Sequence, residues 1–313
     1  MTALVTLGEA MAVLAADRPG PLASGTALRL GFAGAEATVA IGVSRLGHRA
    51  SWTGRVGADS AGTMILDGLR GEAVDVTRAR VDDAAPTGLM LRERRTSDHT
   101  RVTYYRRGLA GARLAPEDID PELVARARVL HVTGITPALG DGPRAAVRRA
   151  VDLARAAGVT VSLDLNYRAR LWTREEAAAE LTYLVTRADV VFAGPDEASL
   201  AVPGAEPATM ARALLDLGPR EAVLKLGSRG AVAVTHGAEA VQDIVPVTLA
   251  DPIGAGDAFV AGYLAGLLDD TDLPGRLLLA ATCGAFAVAS PGDWEGLPRR
   301  AELDLLHGAD VTR

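Results

Sequence analysis

The residues best suited to do chemistry stand together in Asp251-Pro252-Ile253-Gly254-Ala255-Gly256-Asp257-Ala258-Phe259. Small side chains crowd a turn that opens into a helical pattern. The amides of Gly254, Ala255 and Gly256 can therefore converge on an anion, and the positive end of the following helix adds to the pull. Asp257 stands beside that anion. A carboxylate repels phosphate, so it does not help to hold one. It makes sense as a base that takes the proton from a hydroxyl attacking phosphorus. Read alone, the same residues also fit a plain glycine turn whose aspartate complements the helix dipole.

Other phosphate loops are excluded. Lys225 is the only lysine among 33 basic side chains, and Leu226 and Gly227 follow it where a Walker A loop needs Ser or Thr. Gly254 and Gly256 have no third glycine at dinucleotide-fold spacing, and protein-kinase chemistry lacks its lysine context. The five histidines show no metal-ligand spacing, and the single cysteine, Cys283, excludes an internal disulfide and a thiolate zinc site. Phosphoryl transfer by an anion hole and a base remains.

The elements that must position this turn follow from hydrophobic patterning. Runs at 4–8, 129–132, 159–164, 190–192 and 222–226 are short, rich in Val and Leu, and bounded by Gly, Asp or Pro, which predicts buried strands. Helical patterns lie between them at 35–46, 61–70, 143–157, 174–187 and 209–217, with Gly47, Gly71, Gly158 and Gly218 as stops. Such alternation predicts a mainly parallel sheet covered on both faces. After residue 253 the pattern turns helical, at 258–268, 276–289 and 300–306, and the apolar stretch 277–289 is expected to be deeply buried.

Two regions break the rhythm. Residues 10–32 hold two short apolar runs, and residues 88–107 read as two strands joined by a polar turn at 96–100. Both are expected to form a small sheet that acts as a lid over a cleft. The whole chain, 1–313, is read as one α/β domain, because no linker or repeat interrupts it. At 313 residues and 49% hydrophobic it can bury a sizeable core. A net charge of -6 with no basic block argues against a nucleic-acid partner. No uncharged run is long enough to cross a bilayer and the N-terminus has no basic leader, so a cytoplasmic protein is expected. Exposed lid edges suggest a homo-oligomer.

Residues 251–261 resemble the C-terminal signature of the ribokinase-like (PfkB) carbohydrate kinases, and the resemblance extends over nearly the whole chain. Residues 31–40 match the N-terminal signature less cleanly, with Ala33-Gly34 and Thr38 where the family has paired glycines and an asparagine. The resemblance implies a ribokinase-like three-layer α/β/α domain, ATP and Mg²⁺ as cofactors, and room for a monovalent cation. It makes Asp257 the catalytic base and Gly254, Ala255 and Gly256 the hole for the transferring phosphoryl group. Gly194-Pro195-Asp196-Glu197 resembles the family's Asn-x-x-Glu motif with Gly194 replacing the asparagine, and places Glu197 on Mg²⁺ through water. Lys225, Gly227, Ser228 and Gly230 resemble the turn bordering the nucleotide, and Asn166 is assigned there too.

Two segments speak to the substrate. Tyr104-Tyr105-Arg106-Arg107 ends a lid strand, and the segment from Asp164 to Trp172 follows a core strand at the edge where α/β sheets bind ligands. Arginine offers a planar fork to carboxylate or phosphate, which a neutral sugar does not need. The two segments are similar to those of 2-keto-3-deoxygluconate kinases, which phosphorylate the 6-hydroxyl to give 2-keto-3-deoxy-6-phosphogluconate. On that resemblance Arg106 and Arg168 bind the carboxylate, directly or with one engaging phosphate, while Gly34, Tyr104 and Ile135 contact the sugar. Only one of Tyr104 and Tyr105 should face the ligand, because strand side chains alternate. The alternatives are a fructokinase, a ribokinase, a 5-dehydro-2-deoxygluconokinase or a sugar-binding protein without catalysis.

Overall fold

Alternation of apolar side chains along the central strands separates two cores. In the computed structural model, which describes residues 2–96 and 99–306, Val190 and Phe192 turn to one face of the sheet and Val191 and Ala193 to the other. Val223 likewise opposes Ala222 and Leu224. One core is completed by Val147, Leu181 and Leu214, the other by Ile41, Ile65, Tyr263 and Leu277. A sheet buried on both faces requires such continuous apolar strands, and three layers result.

In chain order the strands are β1 (Leu4–Leu7), β2 (Met11–Ala16), β3 (Leu28–Ala33), β4 (Ala50–Thr53), β5 (Arg55–Gly57), β6 (Arg80–Asp82), β7 (Leu89–Arg94), β8 (Thr100–Tyr105), β9 (Val129–Thr133), β10 (Thr160–Asp164), β11 (Val190–Ala193), β12 (Glu221–Lys225), β13 (Ala231–Thr235) and β14 (Glu239–Gln242). The helices are α1 (Ala35–Arg45), α2 (Ser60–Gly71), α3 (Pro121–Ala125), α4 (Asp141–Ala156), α5 (Arg174–Val185), α6 (Pro195–Ala198), α7 (Pro207–Leu215), α8 (Ala255–Leu268) and α9 (Leu273–Val288).

The large sheet runs β14-β13-β12-β11-β10-β9-β1-β4. It is parallel from β12 to β4 and antiparallel at β12–β13–β14. The fold is the expected ribokinase-like α/β architecture with a mainly parallel sheet. The antiparallel hairpin at one edge and β4 at the other are additions that the apolar runs alone do not reveal. The small sheet, β3-β2-β7-β8, comes from the two regions that break the rhythm, and β2 pairs with β7 in parallel. Ser97 and Asp98 of its polar turn lie outside the described residues.

Some expectations need correction. Helix α9 is not buried all round: Leu277, Ala280 and Cys283 are buried, but Leu278 is 43% exposed, because one side of the helix faces no other layer. The fully wrapped helix is α8, whose Ala258–Gly266 face is buried throughout. Residues 300–306 form a 3-10 helix. Gly71 closes α2 within the helix, and the left-handed position beyond it belongs to Ala73, with φ 57°.

Cys283 is 1% exposed, and burial pushes its thiol up to about 12. A thiol in that state is a small core side chain and not a nucleophile. It is expected to stay unmodified by a maleimide reagent until denaturant unfolds the chain. Labelling in native buffer at the rate of a free thiol would contradict this packing. Among the described residues, no helix is long and apolar enough to cross a membrane.

Candidate active site

The C-terminal ends of β9, β10, β11 and β12, the start of α8 and strand β8 of the small sheet surround a cavity of about 1200 Å³. At its floor, Gly254 takes a left-handed φ of 77° and caps α8. A side chain is excluded there, since a Cβ on Gly254 would stand 3.1 Å from the Cα of Asp293, with the Asp293 carbonyl closer still. The first intrahelical bond runs from the Ala258 amide to the Gly254 carbonyl at 2.8 Å. The amides of Ala255, Gly256 and Asp257 therefore precede the helical ladder and are offered at the positive end of the helix.

Asp257 projects from this first turn. Burial pushes its carboxyl up to about 7, reinforced by the nearby Asp164 charge and moderated by Lys225 and Arg168. Asn166 donates from Nδ2 to Asp257 Oδ1 at 3.4 Å, and holds a left-handed φ of 37° that asparagine tolerates better than most residues. A carboxyl poised near neutrality in a cavity suits a general base.

Lys225 sits at the end of β12 with Nζ 2.6 and 2.7 Å from the two carboxylate oxygens of Asp164. Its burial opposes the charge, but Asp164, Glu197 and Asp257 outweigh that and hold the ammonium protonated. A Cβ on Gly256 would lie 3.7 Å from this Nζ, so the only lysine stands beside the first turn of α8. The strand-end aspartate and the lysine had not been linked by sequence.

Glu197 accepts from the Gly194 amide at 2.6 Å and the Tyr167 amide at 3.1 Å, one on each oxygen. Each oxygen retains a lone pair for water. Among the described residues no cluster of three or more acidic, histidine or cysteine side chains can hold a metal directly. This donor set fits Mg²⁺ through its water shell, as that ion prefers when phosphates supply the inner ligands. A Cβ on Gly194 would stand 3.6 Å from Glu197, an ordinary contact, so space does not demand glycine at this departure from the family pattern.

Tyr104, Arg106, Ile135, Arg168 and Gly34 also line the cavity. Tyr104 lines it and Tyr105 does not, which resolves the strand register. The Arg106 guanidinium lies 5.4 Å from the Tyr104 ring centroid. Arg168 is exposed to the cavity and near enough to stabilise the charged form of Asp257. Gly34 and Ile135, both in the lining, also carry contacts within the protein. Gly34 is glycine because a Cβ would stand 3.1 Å from Ala10 Cα, so its close approach is to the β1–β2 backbone. The Ile135 amide is already donated to Thr133 Oγ1 at 3.1 Å.

Gly227, Ser228 and Gly230 are not brought into this cavity. They form the tight β12–β13 connection, where left-handed φ values of 59° and 81° account for the two glycines. The geometry instead adds residues that sequence reading passed over. Glu9 and Glu36 are 3% and 1% exposed at the base of the cavity. Arg92 from β7 reaches the Asp293 carboxylate at 2.6 Å, tying the small sheet to the residue whose backbone packs on Gly254.

Residues 1–300 match the family model described as pfkB family carbohydrate kinase. The chain belongs to that family. It is 38% identical over 311 residues to a 2-dehydro-3-deoxygluconokinase of Thermoproteus tenax, an alignment covering 98% of this chain and 94% of that one. It is 36% identical over 311 residues to a 2-dehydro-3-deoxygluconokinase of Bacillus subtilis, covering 98% and 96%. Among solved structures, a PfkB protein from Polaromonas superposes with a TM-score of 0.89 at 37% identity, covering 97% of this chain and 99% of that chain. The protein is an ATP-dependent sugar kinase, and the resemblance drawn from residues 251–261 is upheld over the full fold.

Proposed function

We propose that this kinase transfers the γ-phosphoryl group of ATP to the 6-hydroxyl of 2-keto-3-deoxygluconate. The carrying observation is that Arg106 and Arg168 line the same cavity as Asp257. A carboxylated sugar can be gripped at its acid end by an arginine fork while its far hydroxyl meets the base. The names of the two relatives support this class of substrate.

In this reading Asp257 removes the proton from the 6-hydroxyl as that oxygen bonds to the γ-phosphorus. The bond from phosphorus to the bridging oxygen breaks, and ADP departs with the electron pair. The amides of Ala255, Gly256 and Asp257 bind the equatorial oxygens, where negative charge must be stabilised. Lys225 adds a fixed positive charge beside that hole. Mg²⁺, when bound, neutralises phosphate charge. Glu197 orders its water, and lid closure over the cavity excludes bulk water that would otherwise accept the phosphoryl group.

The test is ADP release with Mg-ATP against 2-keto-3-deoxygluconate, 2-keto-3-deoxygalactonate, fructose, ribose and no sugar. Turnover confined to the keto-deoxy acids is expected. Preference for fructose or ribose would overturn the substrate while leaving the kinase intact. Arg168→Ala is expected to raise the KM for the acidic sugar by about tenfold to a hundredfold with little change in the KM for ATP. An equal rise in both would place Arg168 at the nucleotide phosphates.

A further inference from the structure

Glu9 directly follows the Gly8 that ends β1's apolar run, and it is buried beneath the cavity. Its carboxylate forms an ion pair with Arg106, the residue after β8, so one contact joins the large sheet to the lid. The surroundings are shaped to this side chain. A Cβ on Gly111 would stand 2.8 Å from Glu9 Oε1, and one on Gly88 would stand 3.2 Å from it. Neither glycine has a left-handed φ. Gly111 therefore lacks a side chain for the space Glu9 fills, and Gly88 for the space of Met11, whose Cγ is nearest at 2.9 Å, together with Glu9.

The second buried acid has a different occupation. Glu36 accepts from the hydroxyls of Thr133 and Thr136, both on Oε1 at 2.7 Å, and the ion pair to Arg106 is made by Glu9. Arg106 is itself mostly buried, its side chain 11% exposed, and its Nε has no hydrogen-bond partner among the described residues. The ion pair engages the Nη2 end of the guanidinium, and Arg106 also lines the cavity. A guanidinium carries five N–H donors in a fixed fork, so Arg106 can hold Glu9 and still donate to a ligand carboxylate.

We propose that Glu9 is the positioning residue that holds Arg106 for the carboxylate of an acidic sugar, and that it thereby sets the preference for acids over neutral sugars. The inference rests on the sugar-acid reading above and adds the residue that makes Arg106 selective. Glu9 acts through Arg106 and is not a catalytic group.

The charged groups facing Glu9 are Arg106 from the lid and Glu36 from α1, and burial is the main cause that lifts its carboxyl to about 7. Protonated Glu9 still accepts from Arg106 but no longer neutralises it, which leaves more positive charge for the substrate. Ionised Glu9 shares Arg106 with the incoming carboxylate. The KM for an acidic sugar should therefore rise as pH increases through about 7.

The experiment is steady-state kinetics on the full chain with 2-keto-3-deoxygluconate and Mg-ATP from about pH 6 to pH 8.5, for the wild type, Glu9→Ala and Glu9→Gln. Near-ultraviolet circular dichroism checks that each variant is folded. Glu9→Ala is expected to raise the KM for the sugar acid by about tenfold while kcat and the KM for ATP change by less than about threefold. Glu9→Gln keeps the acceptor and the volume. It should restore a KM near the wild-type value at low pH and hold it flat as pH rises, and it carries the test if the alanine variant does not fold. An unchanged sugar KM in Glu9→Ala, equal rises in both KM values, or a wild-type pH dependence in Glu9→Gln would each overturn the proposal. If the wild type shows no preference for acids, the sugar-acid reading fails first and this proposal falls with it.

Discussion

Asp257→Asn is expected to lower kcat by about a thousandfold, within the range that general-base removal costs. Asparagine has the shape of aspartate and can keep the contact with Asn166 at Oδ1, so the first turn of α8 and its amides should persist. ATP binding should then survive, because the amide hole and Lys225 do not depend on the carboxylate. The pH dependence follows from the same environment. Burial and Asp164 raise the carboxyl to about 7, and the active form is the carboxylate. kcat should therefore climb with pH and level off above about 7, with roughly a tenth of the plateau left one unit below it. Stability moves the other way. A carboxyl raised from 3.8 to about 7 on folding favours the native state below 3.8, and that contribution is lost as pH rises through about 7. At pH near 8 the Asn variant should consequently unfold at a temperature no lower than the wild type. Turnover near the wild-type value would remove Asp257 as the base.

The parts of the site that were legible in the sequence are those built from contiguous residues. The 251–259 turn displays its glycines, its aspartate and its helix together, and the structure keeps them together at the N-terminus of α8. Strand ends are nearly as readable: Asn166 and Arg168 follow an apolar run, and parallel topology places that end at the cavity. Glu9 and Glu36 are different. Each is one acid in a small-residue segment, and its burial depends on partners far along the chain, Arg106 in one case and Thr133 and Thr136 in the other. No local pattern marks such pairings.

The misread elements have equally physical causes. Helix α9 is apolar by composition, yet only one face meets another layer, so Leu278 is left in solvent. Strand β14 is the antiparallel edge strand, in which exposed Glu239 and Val241 break the continuous apolar run that marks the central strands, whereas β13 beside it is apolar and buried at Ala231–Val234. Gly227 and Gly230 resemble a nucleotide-bordering turn, and their left-handed φ values, with the close approach of Gly230 to the Gln242–Asp243 backbone, also give each a backbone reason to be glycine. A glycine motif records a backbone requirement, and the ligand is a separate question.

Gly254→Ala is the second change expected to have a large effect. The residue combines a left-handed φ of 77° with a Cβ position 3.1 Å from Asp293 Cα, so alanine is strained by conformation and by contact together. Strain of the first kind costs about 1–2 kcal/mol. The contact is harder to relieve, because Asp293 is fixed by Arg92 at 2.6 Å and cannot withdraw without pulling on the lid. The turn must therefore rotate, and the amides that begin α8 rotate with it. Loss of one well-aimed donor to a developing oxyanion typically costs about a hundredfold to a thousandfold in kcat, and that range is expected here. The contrasting substitution is Gly194→Asn, which restores the family residue at a position with φ -79° and a nearest contact of 3.6 Å. It should leave the unfolding temperature unchanged within about a degree or two, since neither source of strain is present. Measured side by side by thermal unfolding and ADP release, the two variants separate a glycine required by backbone geometry from one that is not. Near-normal turnover by Gly254→Ala would mean that the amides of α8 do not form the phosphoryl-binding hole.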